Sequence, residues 1–517
     1  MKYLFAVIAL VLVGASVARM LTLPDMTSTV PVLYWVTDDN PARVEQVALF
    51  EKWLVKKGLV TPQGLPECEL RVDTANADAD KKVIQAVSGV GGDIMDTGTA
   101  DLSYYHAVGF LHDVTNAAHR LGFDADHTWP AIVPSLFIDG RQYRFPCNVY
   151  VNMLWVNEAT FAKYGLKPPP HRWTIDDFGR LGKELVDAAN PPGQRRKVFF
   201  ADGLSAGMLA DTLGVSTYNE TMTACALNDP RYIKALRLIY QWTYQDHLLP
   251  SAADKADFAT QPGYAGATLQ LFNAGRMAMF VMGRYALIQL REFNKTRKEE
   301  GQPLLQMEVV EPPYGQLPIT RTGTRAAVVY QGGKHIPMAE EFLAYLASKD
   351  YNMQIVRDAD ALPPDPRYTQ TQAFLRPPNH PEEWGLHEQF SRAARTIAVA
   401  YDISPFILPV TASRLIGQEN DAFMNGMEDA PTAARHMALY VDQAIQRNLQ
   451  ENPSLKPAYA KLVKIQARID ALRRQGRPVP AAWITNPYYR FYYQRRGWLA
   501  ESATTSAGSS TPRVCRR

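Results

Sequence analysis

Residues 269–285, with the sequence LQLFNAGRMAMFVMGRY, end in side chains that could contact a small molecule. The pattern predicts a helix, a tight turn and then a buried strand from Met277 to Met282. Gly283 then lets the backbone change direction, so that Arg284 and Tyr285 point outward. A guanidinium and a phenol are suited to hydrogen-bonding a ligand. The same pattern also fits a strand that simply enters a core.

A second candidate for chemistry is GLSAG at residues 203–207, a GxSxG match with Ser205 at its centre. A predicted strand before it and a predicted helix after it are the arrangement that a nucleophile elbow requires. A hydrolase also needs an acid, a downstream histidine and an oxyanion loop, and no downstream histidine lies in a convincing loop after a predicted strand. A secreted serine hydrolase is therefore kept as an alternative function.

Composition and cysteine spacing favour an ordinary globular protein without a metal or cofactor. The chain has 517 residues, too many for one core, and its 46% hydrophobic and 21% charged residues are typical of soluble proteins. Lys and Arg number 55 against 52 Asp and Glu, which gives no sign of nucleic-acid binding. HExxH, P-loop and GxGxxG motifs are absent from the sequence. The four cysteines, which are Cys68, Cys147, Cys225 and Cys515, show no metal-ligand spacing. We expect them to be core or unpaired thiols, although four cysteines allow three disulfide pairing schemes.

The N-terminus carries the pattern of an export signal over residues 1–18. Lys2 precedes the apolar stretch YLFAVIALVLVGASVA, which ends in a small-x-small cleavage signal. At about 1.5 Å per residue the stretch spans roughly 24 Å, less than the ~30 Å hydrocarbon core of a bilayer. We therefore expect a cleaved signal and a periplasmic or extracellular protein, with an uncleaved membrane tether as the alternative.

The first hundred or so residues alternate strands and helices. Val32–Val36 is a predicted strand, a helix begins near Ala42, and the order strand, helix, strand continues through residues 69–95. This βαβαβ order predicts a parallel sheet, in which ligands bind beyond the carboxyl ends of the strands. Polar residues that could equally cap helices or form turns follow the first and third strands: Thr37, Asp38, Asp39, Thr97, Thr99 and Asp101.

Residues 140–165, GRQYRFPCNVYVNMLWVNEATFAKYG, predict a hairpin-like turn, a strand and a helix opened by Asn157. Within the strand, Asn148, Tyr150 and Asn152 alternate, so their side chains share one face. Polar groups on a single face of a strand are candidates for contact with a ligand.

Together these segments resemble the extracellular solute-binding proteins of ABC importers, in the sugar-binding branch that includes maltose-binding protein. The resemblance covers roughly residues 30–450 and rests on the order and spacing of motifs, since no one motif would suffice. Besides residues 140–165 and 269–285, the matching motifs are GFLHDVT at 109–115, PPPHRWTIDDF at 168–178 and AEEFLAYLAS at 339–348. Tyr285 stands where many relatives have Trp.

The resemblance implies a periplasmic-binding-protein-like fold, in which two α/β lobes are joined by a hinge and separated by an interlobe cleft. A helical and aromatic C-terminal extension would follow the lobes. The predicted domains are a signal or anchor at 1–18, lobe 1 at 30–147 plus 310–365, lobe 2 at 148–309 plus 366–452, an extension at 453–500 and a disordered tail at 501–517.

The function that the resemblance implies is capture of a small solute, a sugar or oligosaccharide, for delivery to the permease subunits of an ABC transporter. The protein would act as a monomer, without a cofactor and without chemical conversion of the ligand. We expect Arg284 and Tyr285 to serve binding and not folding, whereas Tyr150 and Tyr401 could also be core residues. The residues assigned to the ligand site are Thr37, Asp38, Asp39, Thr97, Thr99, Asp101, Asn148, Tyr150, Asn152, Gly283, Arg284, Tyr285, Tyr401 and Phe406.

The chain changes character after Asn452. Residues 456–474 predict a basic helix, and residues 486–498, NPYYRFYYQRRGW, concentrate aromatic side chains. Such a patch is rarely left exposed, so the segment is expected to pack on a lobe. The alternative is a partner-docking segment of a secreted scaffold or adhesion protein.

Overall fold

The computed structural model describes residues 28–99, 101–193, 196–258 and 266–500. The predicted signal, Cys515 and the predicted tail lie outside these residues. Cys68, Cys147 and Cys225 are buried free thiols, which confirms the expectation for the three described cysteines. Within the described ranges, no helix combines the length and the apolar character needed to cross a membrane.

Two mixed sheets form the centres of two lobes. In chain order, the strands of the described residues are β1 Val32–Val36, β2 Glu69–Asp73, β3 Ile94–Thr97, β4 Phe137–Ile138, β5 Arg141–Gln142, β6 Arg144–Val151, β7 Met153–Asn157, β8 Phe199–Asp202, β9 Met277–Met282, β10 Met307–Val310, β11 Thr320–Val329, β12 Ala398–Ala400, β13 Val479–Pro480 and β14 Leu499–Ala500.

Helices cover both sheets and make up most of the C-terminal part. In chain order they are α1 Ala42–Lys57, α2 Ala79–Val87, α3 Leu102–Ala107, α4 Thr115–Leu121, α5 Glu158–Lys163, α6 Ile175–Ala189, α7 Ala206–Leu213, α8 Pro230–Tyr240, α9 Ala252–Phe258, α10 Gly266–Asn273, α11 Leu287–Glu299, α12 Ile336–Ala347, α13 Lys349–Asp358, α14 Gln372–Leu375, α15 Leu386–Thr396, α16 Pro409–Met424, α17 Ala430–Glu451, α18 Lys456–Arg474 and α19 Pro487–Arg496.

The first lobe is built on the sheet β12-β11-β3-β1-β2, with β6 also paired to β11. Strand β1 runs parallel to both β2 and β3, as the βαβαβ order predicts. Strand β11 is antiparallel to β3 and β6 and parallel to β12. The carboxyl ends of β1 and β3 therefore lie side by side at one edge of this sheet.

The second lobe is built on the sheet β10-β7-β9-β8. Strand β9 is the predicted apolar run Met277–Met282, and it pairs antiparallel to β7 and parallel to β8. Helix α6 covers this lobe and begins with a capping box, since Thr174 accepts a hydrogen bond from the Asp177 amide at 3.1 Å while Asp177 accepts one from the Thr174 amide at 3.1 Å.

The chain crosses between the two sheets at short connections. It passes from β6 to β7 at Asn152, and returns from β10 to β11 between Val310 and Thr320. Strand β6 continues in the first sheet as far as Val151, beyond residue 147 where the predicted lobe 1 segment ends. The connections meet at one place, so the junction of the lobes is formed by residues distant in sequence.

The C-terminal extension packs across this junction. Its tyrosines at 488, 489, 492 and 493 are buried with Ile319 and Val399 of the first lobe. Asn486 is fully buried and binds the second lobe, where its Nδ2 donates to the carbonyls of Tyr218 at 3.1 Å and Asn219 at 3.2 Å. These aromatic side chains are thus part of the core, which is the expected packed extension and leaves them unavailable for docking a partner.

Replacing Asn486 tests how strongly the extension is held. Its Oδ1 also caps α19 by accepting from the Tyr488 amide at 2.9 Å. We expect Asn486→Ala to lower the free energy of unfolding by about 2 kcal/mol or more, because it removes a cap and leaves two carbonyls without a donor. Urea denaturation measures the change. Gln494→Ala, on the exposed side of the same helix, is the control, and equal midpoints for the two variants would contradict the prediction.

Candidate functional site

A cavity of about 520 Å³ lies where the two lobes meet. Thr320 and Arg321 of β11 form its wall on the first lobe, and residues of α7 and α16 form its wall on the second lobe. Asn152 lines the cavity from the crossing between β6 and β7. The volume is that of a small-molecule site, and a ligand bound here would contact both lobes at once.

Hydroxyl and amide groups make up much of the polar lining of this cavity. Ser205 lies at its edge and caps α7 by accepting a hydrogen bond from the Met208 amide at 3.3 Å. The serine therefore has the local role of a helix cap, and no histidine stands among the described residues that line the cavity. The remaining hydroxyl and amide groups of the lining belong to Asn152, Ser216, Thr217, Tyr232, Thr320, Tyr401, Ser413 and Asn420.

The charged groups of the cavity form one cluster, in which a single guanidinium faces two carboxylates. The Arg321 guanidinium makes two bonds of 2.7 Å to the carboxylate of Asp211, one of 3.1 Å to Asp402 and one of 3.0 Å to Ser216. Burial raises the pKa of Asp211 to about 6, although Arg321 opposes the shift. Because two carboxylates face one guanidinium, the wall carries no free positive charge, and an anionic ligand would be repelled.

The Arg321 guanidinium also lies between two tyrosine rings. Tyr401, on the cavity side, has its ring centre 5.8 Å away, and Tyr488 of the extension has its ring centre 5.1 Å away. Cation–π contact of this kind favours a desolvated arginine. Two tyrosines line the cavity, and of these Tyr401 is 37% exposed whereas Tyr232 is buried, so the Tyr401 ring is the more accessible aromatic surface for a ligand.

Three of the predicted aromatic positions converge beside the cavity. The Tyr150 hydroxyl interacts with that of Tyr401, and burial raises the pKa of both groups. Tyr285 packs against Gly283, where an added Cβ would lie 2.5 Å from the Tyr285 ring and 3.5 Å from the Tyr150 Cβ. Gly283 is thus required for close approach and not for a left-handed backbone, since its φ is −74°. The tyrosine group joins both lobes at the crossing.

The predicted residues after β1 lie instead in a buried charge network of the first lobe. The network consists of Arg43, Arg325, Asp38, Asp96 and Asp360. Thr37 donates to Asp96 at 2.5 Å, and Asn148 donates to Asp360 at 3.0 Å. Burial opposes ionisation of Asp38, but Arg325 and Arg43 outweigh it and lower the pKa of this carboxyl. Neither Thr37, Asp38 nor Asn148 lines the cavity, and Asp39 is exposed.

The predicted residues after β3 hold the turn and the sheet. Thr97 accepts from Arg144 at 3.1 Å, and Thr99 accepts from the Thr324 amide at 2.9 Å. Asp101 closes its own turn by accepting from the Gly98 amide at 2.7 Å. None of the three lines the cavity, and their observed contacts are those of residues that form a turn and hold the sheet.

Comparison with known proteins identifies the family of this chain. The sequence matches the profile described as bacterial extracellular solute-binding protein over residues 72–353, more than half of the chain. The chain belongs to this family. A curated relative, an uncharacterized ABC transporter extracellular-binding protein of Pyrococcus horikoshii, is 29% identical over 170 residues, which are 32% of this chain and 36% of the relative. The match thus spans about a third of that relative's length.

Solved structures of similar fold confirm the periplasmic-binding-protein-like architecture. An ABC substrate-binding protein from Listeria monocytogenes in complex with cycloalternan superposes with a TM-score of 0.66 at 17% identity, over 81% of this chain and 99% of that chain. A solute-binding protein from Thermotoga lettingae bound with alpha-D-tagatose gives a TM-score of 0.63 at 18% identity, over 80% of this chain and 100% of that chain.

Arg284 of this solute-binding protein is buried and hydrogen-bonded within the fold, and it does not point outward or line the cavity as its predicted role requires. Its side chain is 1% exposed, and Nε donates to His387 Nδ1 at 2.8 Å. The other nitrogens donate to the carbonyls of Val356 and Ala361, both at 2.8 Å. The short 3-10 turn after Gly283 directs the guanidinium toward the C-terminal end of α13, whose free carbonyls attract a cation.

Phe406 is likewise buried in the core and does not line the cavity. It is 1% exposed and packs edge-on to Tyr459 of the extension at 5.0 Å between ring centres. Of the predicted site residues, Asn152 and Tyr401 line the cavity, while Tyr150, Gly283 and Tyr285 adjoin it. Sequence reasoning missed Arg321, Ser216 and Asn420, and it singled out Ser205 only as a nucleophile.

Removing Arg284 should destabilise this solute-binding protein. We expect Arg284→Met to lower the free energy of unfolding by about 3 kcal/mol or more, since three buried acceptors lose their donor. Arg392→Met, at an exposed position of α15, is the matched control. Chemical denaturation distinguishes them, and a wild-type unfolding curve for Arg284→Met would show that the guanidinium contributes nothing to folding.

Stability should also depend on pH through His387. This imidazole is fully buried between Arg284 and Glu383, and burial, followed by the charge of Arg284, lowers its pKa from 6.5 to about 4. As the pH falls from about 6.5 to about 4, His387 therefore becomes protonated in the unfolded chain but stays neutral in the folded chain. The free energy of unfolding should decrease across that window by up to roughly 3 kcal/mol from this group.

Denaturant titrations at several pH values measure this effect. His387→Gln removes the titrating group and should flatten the profile between pH 6.5 and about 4. His119→Gln, whose histidine side chain is 71% exposed, should leave the profile unchanged. Parallel profiles for the wild type and His387→Gln would assign the acid sensitivity to other groups.

Proposed function

We propose that this solute-binding protein captures a small uncharged solute rich in hydroxyl groups, a sugar or an oligosaccharide, and passes it unaltered to the permease subunits of an ABC transporter. The observation that carries the proposal is the cavity of about 520 Å³ between the lobes, lined from both sides. The cavity is complete within one chain, so a monomer suffices. Export through residues 1–18, with cleavage or with retention as a tether, belongs to the same proposal.

The lining suits a neutral polyol better than an ion. The partly exposed Tyr401 offers an apolar ring face for the C–H surface of a sugar ring. The amides of Asn152 and Asn420 and the hydroxyl of Ser205 can donate to and accept from sugar hydroxyls. Because Arg321 is saturated by carboxylates, it offers polarity without a free cation that would select for an anion.

The position of the cavity suggests how binding closes the protein. A ligand that contacts both walls stabilises the closed arrangement of the lobes by the contacts that exist only there. Relatives of similar fold have been solved with sugars, cycloalternan and alpha-D-tagatose, in complex. Nothing in this scheme requires a bond of the ligand to break, so the protein acts as a binder and not as an enzyme.

A thermal-shift screen against neutral sugars tests the proposal. A ligand at 100 times its dissociation constant adds ~2.7 kcal/mol of apparent stability. For the sugar that gives the largest shift, Tyr401→Ala should weaken binding at least about tenfold by calorimetry, because the ring loses its stacking contact. Tyr34→Ala, at a comparably exposed tyrosine of β1, should bind as the wild type does.

Two results would contradict the proposal. One is release of a hydrolysed product from any ligand together with covalent labelling of Ser205 by a fluorophosphonate, which would support the hydrolase. The other is tight binding of a charged solute that competes with no sugar. Equal affinities of the Tyr401 and Tyr34 variants for a sugar would show that the sugar binds outside the cavity.

A further inference from the structure

The C-terminal extension differs from the rest of the chain in its charge. Residues 453–500 contain 10 Lys or Arg against 1 Asp, whereas residues 28–452 contain 40 against 49 Asp or Glu. The extension is therefore strongly cationic and the two lobes are anionic. A molecule with separated charges of this size orients in an external field, with the extension turned toward a negative surface.

The cations of the extension are exposed and largely unneutralised. Arg473 is paired with Glu220 at 2.7 Å. For the other nine, no carboxylate of the described residues lies within ion-pair distance, and each of the nine is exposed. Unpaired like charges on one surface repel one another, so a multivalent anionic partner would stabilise them.

Helix α18 separates an apolar inner face from a cationic outer face. Ile465, Ile469 and Leu472 of the inner face belong to the core cluster that joins the extension to the lobes. Lys461, Lys464 and Arg468 lie on the outer side at helical spacing and are exposed. The inner face fixes the helix on the body of the protein, so the outer face is a permanent feature of the surface.

A groove at the end of α18 adds an aromatic group to these charges. It has a volume of about 640 Å³ and is lined by Arg473, Arg474, Arg477 and Trp498, among others. The Trp498 side chain is 40% exposed, and the Arg496 guanidinium lies 5.0 Å from the centre of its ring. Tryptophan is enriched at the headgroup level of membranes, and basic side chains near a membrane surface are attracted to anionic lipid.

We propose that the C-terminal extension is a docking surface for anionic phospholipid headgroups. Its cations extend along a helix of about 28 Å and onto the neighbouring helix α19, instead of being gathered into one shaped pocket. A broad, flat array of negative charge such as a bilayer surface complements this distribution better than one acidic protein does. Docking would hold the protein at a membrane surface without any membrane-spanning helix.

Vesicle sedimentation with the full exported chain tests the proposal. The vesicles are pure phosphatidylcholine, or phosphatidylcholine in which about a third of the lipid is phosphatidylglycerol. We expect binding to the anionic vesicles alone, and its loss at high salt, because screening shortens the reach of surface charge. Replacing Lys461, Lys464 and Arg468 together by Gln should lower partitioning roughly 100-fold, at about fivefold for each cation.

The matched control removes the same number of charges from the lobes. Lys52, Lys295 and Lys298 are exposed, and their joint replacement by Gln should leave vesicle binding unchanged. Absence of binding to anionic vesicles would overturn the proposal and favour an acidic protein as the partner. Equal binding to both vesicle types, or equal losses in the two triple variants, would also overturn it. Ligand-induced thermal shifts should be the same in all variants, so this test is independent of the proposed sugar binding.

Discussion

The structure depends on one buried cation, the guanidinium of Arg321. It begins on a strand of the first lobe, pairs with Asp211 of the second lobe and with Asp402 beyond β12, and stacks on Tyr488 of the extension. Removing water from three charges is costly, and only their mutual attraction and hydrogen bonds offset that cost. The segments that carry them must therefore stay together, and the cavity wall is formed where they meet.

Two arginines illustrate how differently burial can use the same side chain. Arg284 is saturated by carbonyls and by a neutral histidine, so it fixes a helix end within one part of the fold. Arg321 is saturated by carboxylates contributed by separate segments, so it forms a wall at the lobe junction. The sequence around Arg284, a strand end followed by glycine, suggested a ligand contact. The sequence around Arg321 contains no motif that indicates its place at the lobe junction.

The extension combines a buried and an exposed face whose compositions are opposite. Its inner side is held by Glu220, a buried carboxylate that accepts from Tyr493 at 2.5 Å and pairs with Arg473 at 2.7 Å. The tyrosines cover apolar residues at the crossing between lobes and satisfy their hydroxyls there, as with the 2.6 Å bond from Tyr488 to the Asp211 carbonyl. Apart from Arg473, the cations of the extension pair with no carboxylate of the described residues and remain exposed on its outer side.

Short-range patterns in the sequence were enough to predict the local elements and their order. The alternation of Val32–Val36 with helices indicated a parallel sheet, the apolar run Met277–Met282 indicated a buried strand, and the order of motifs indicated the solute-binding family. These features depend on periodicity, turn residues and caps, which act over a few residues. Long-range packing, by contrast, selects the polar groups that meet at the cavity. It brought Asn152 and Tyr401 together with Ser216 and Asn420, and it buried Arg284 and Phe406, because burial and pairing depend on partners that lie tens to hundreds of residues away along the chain.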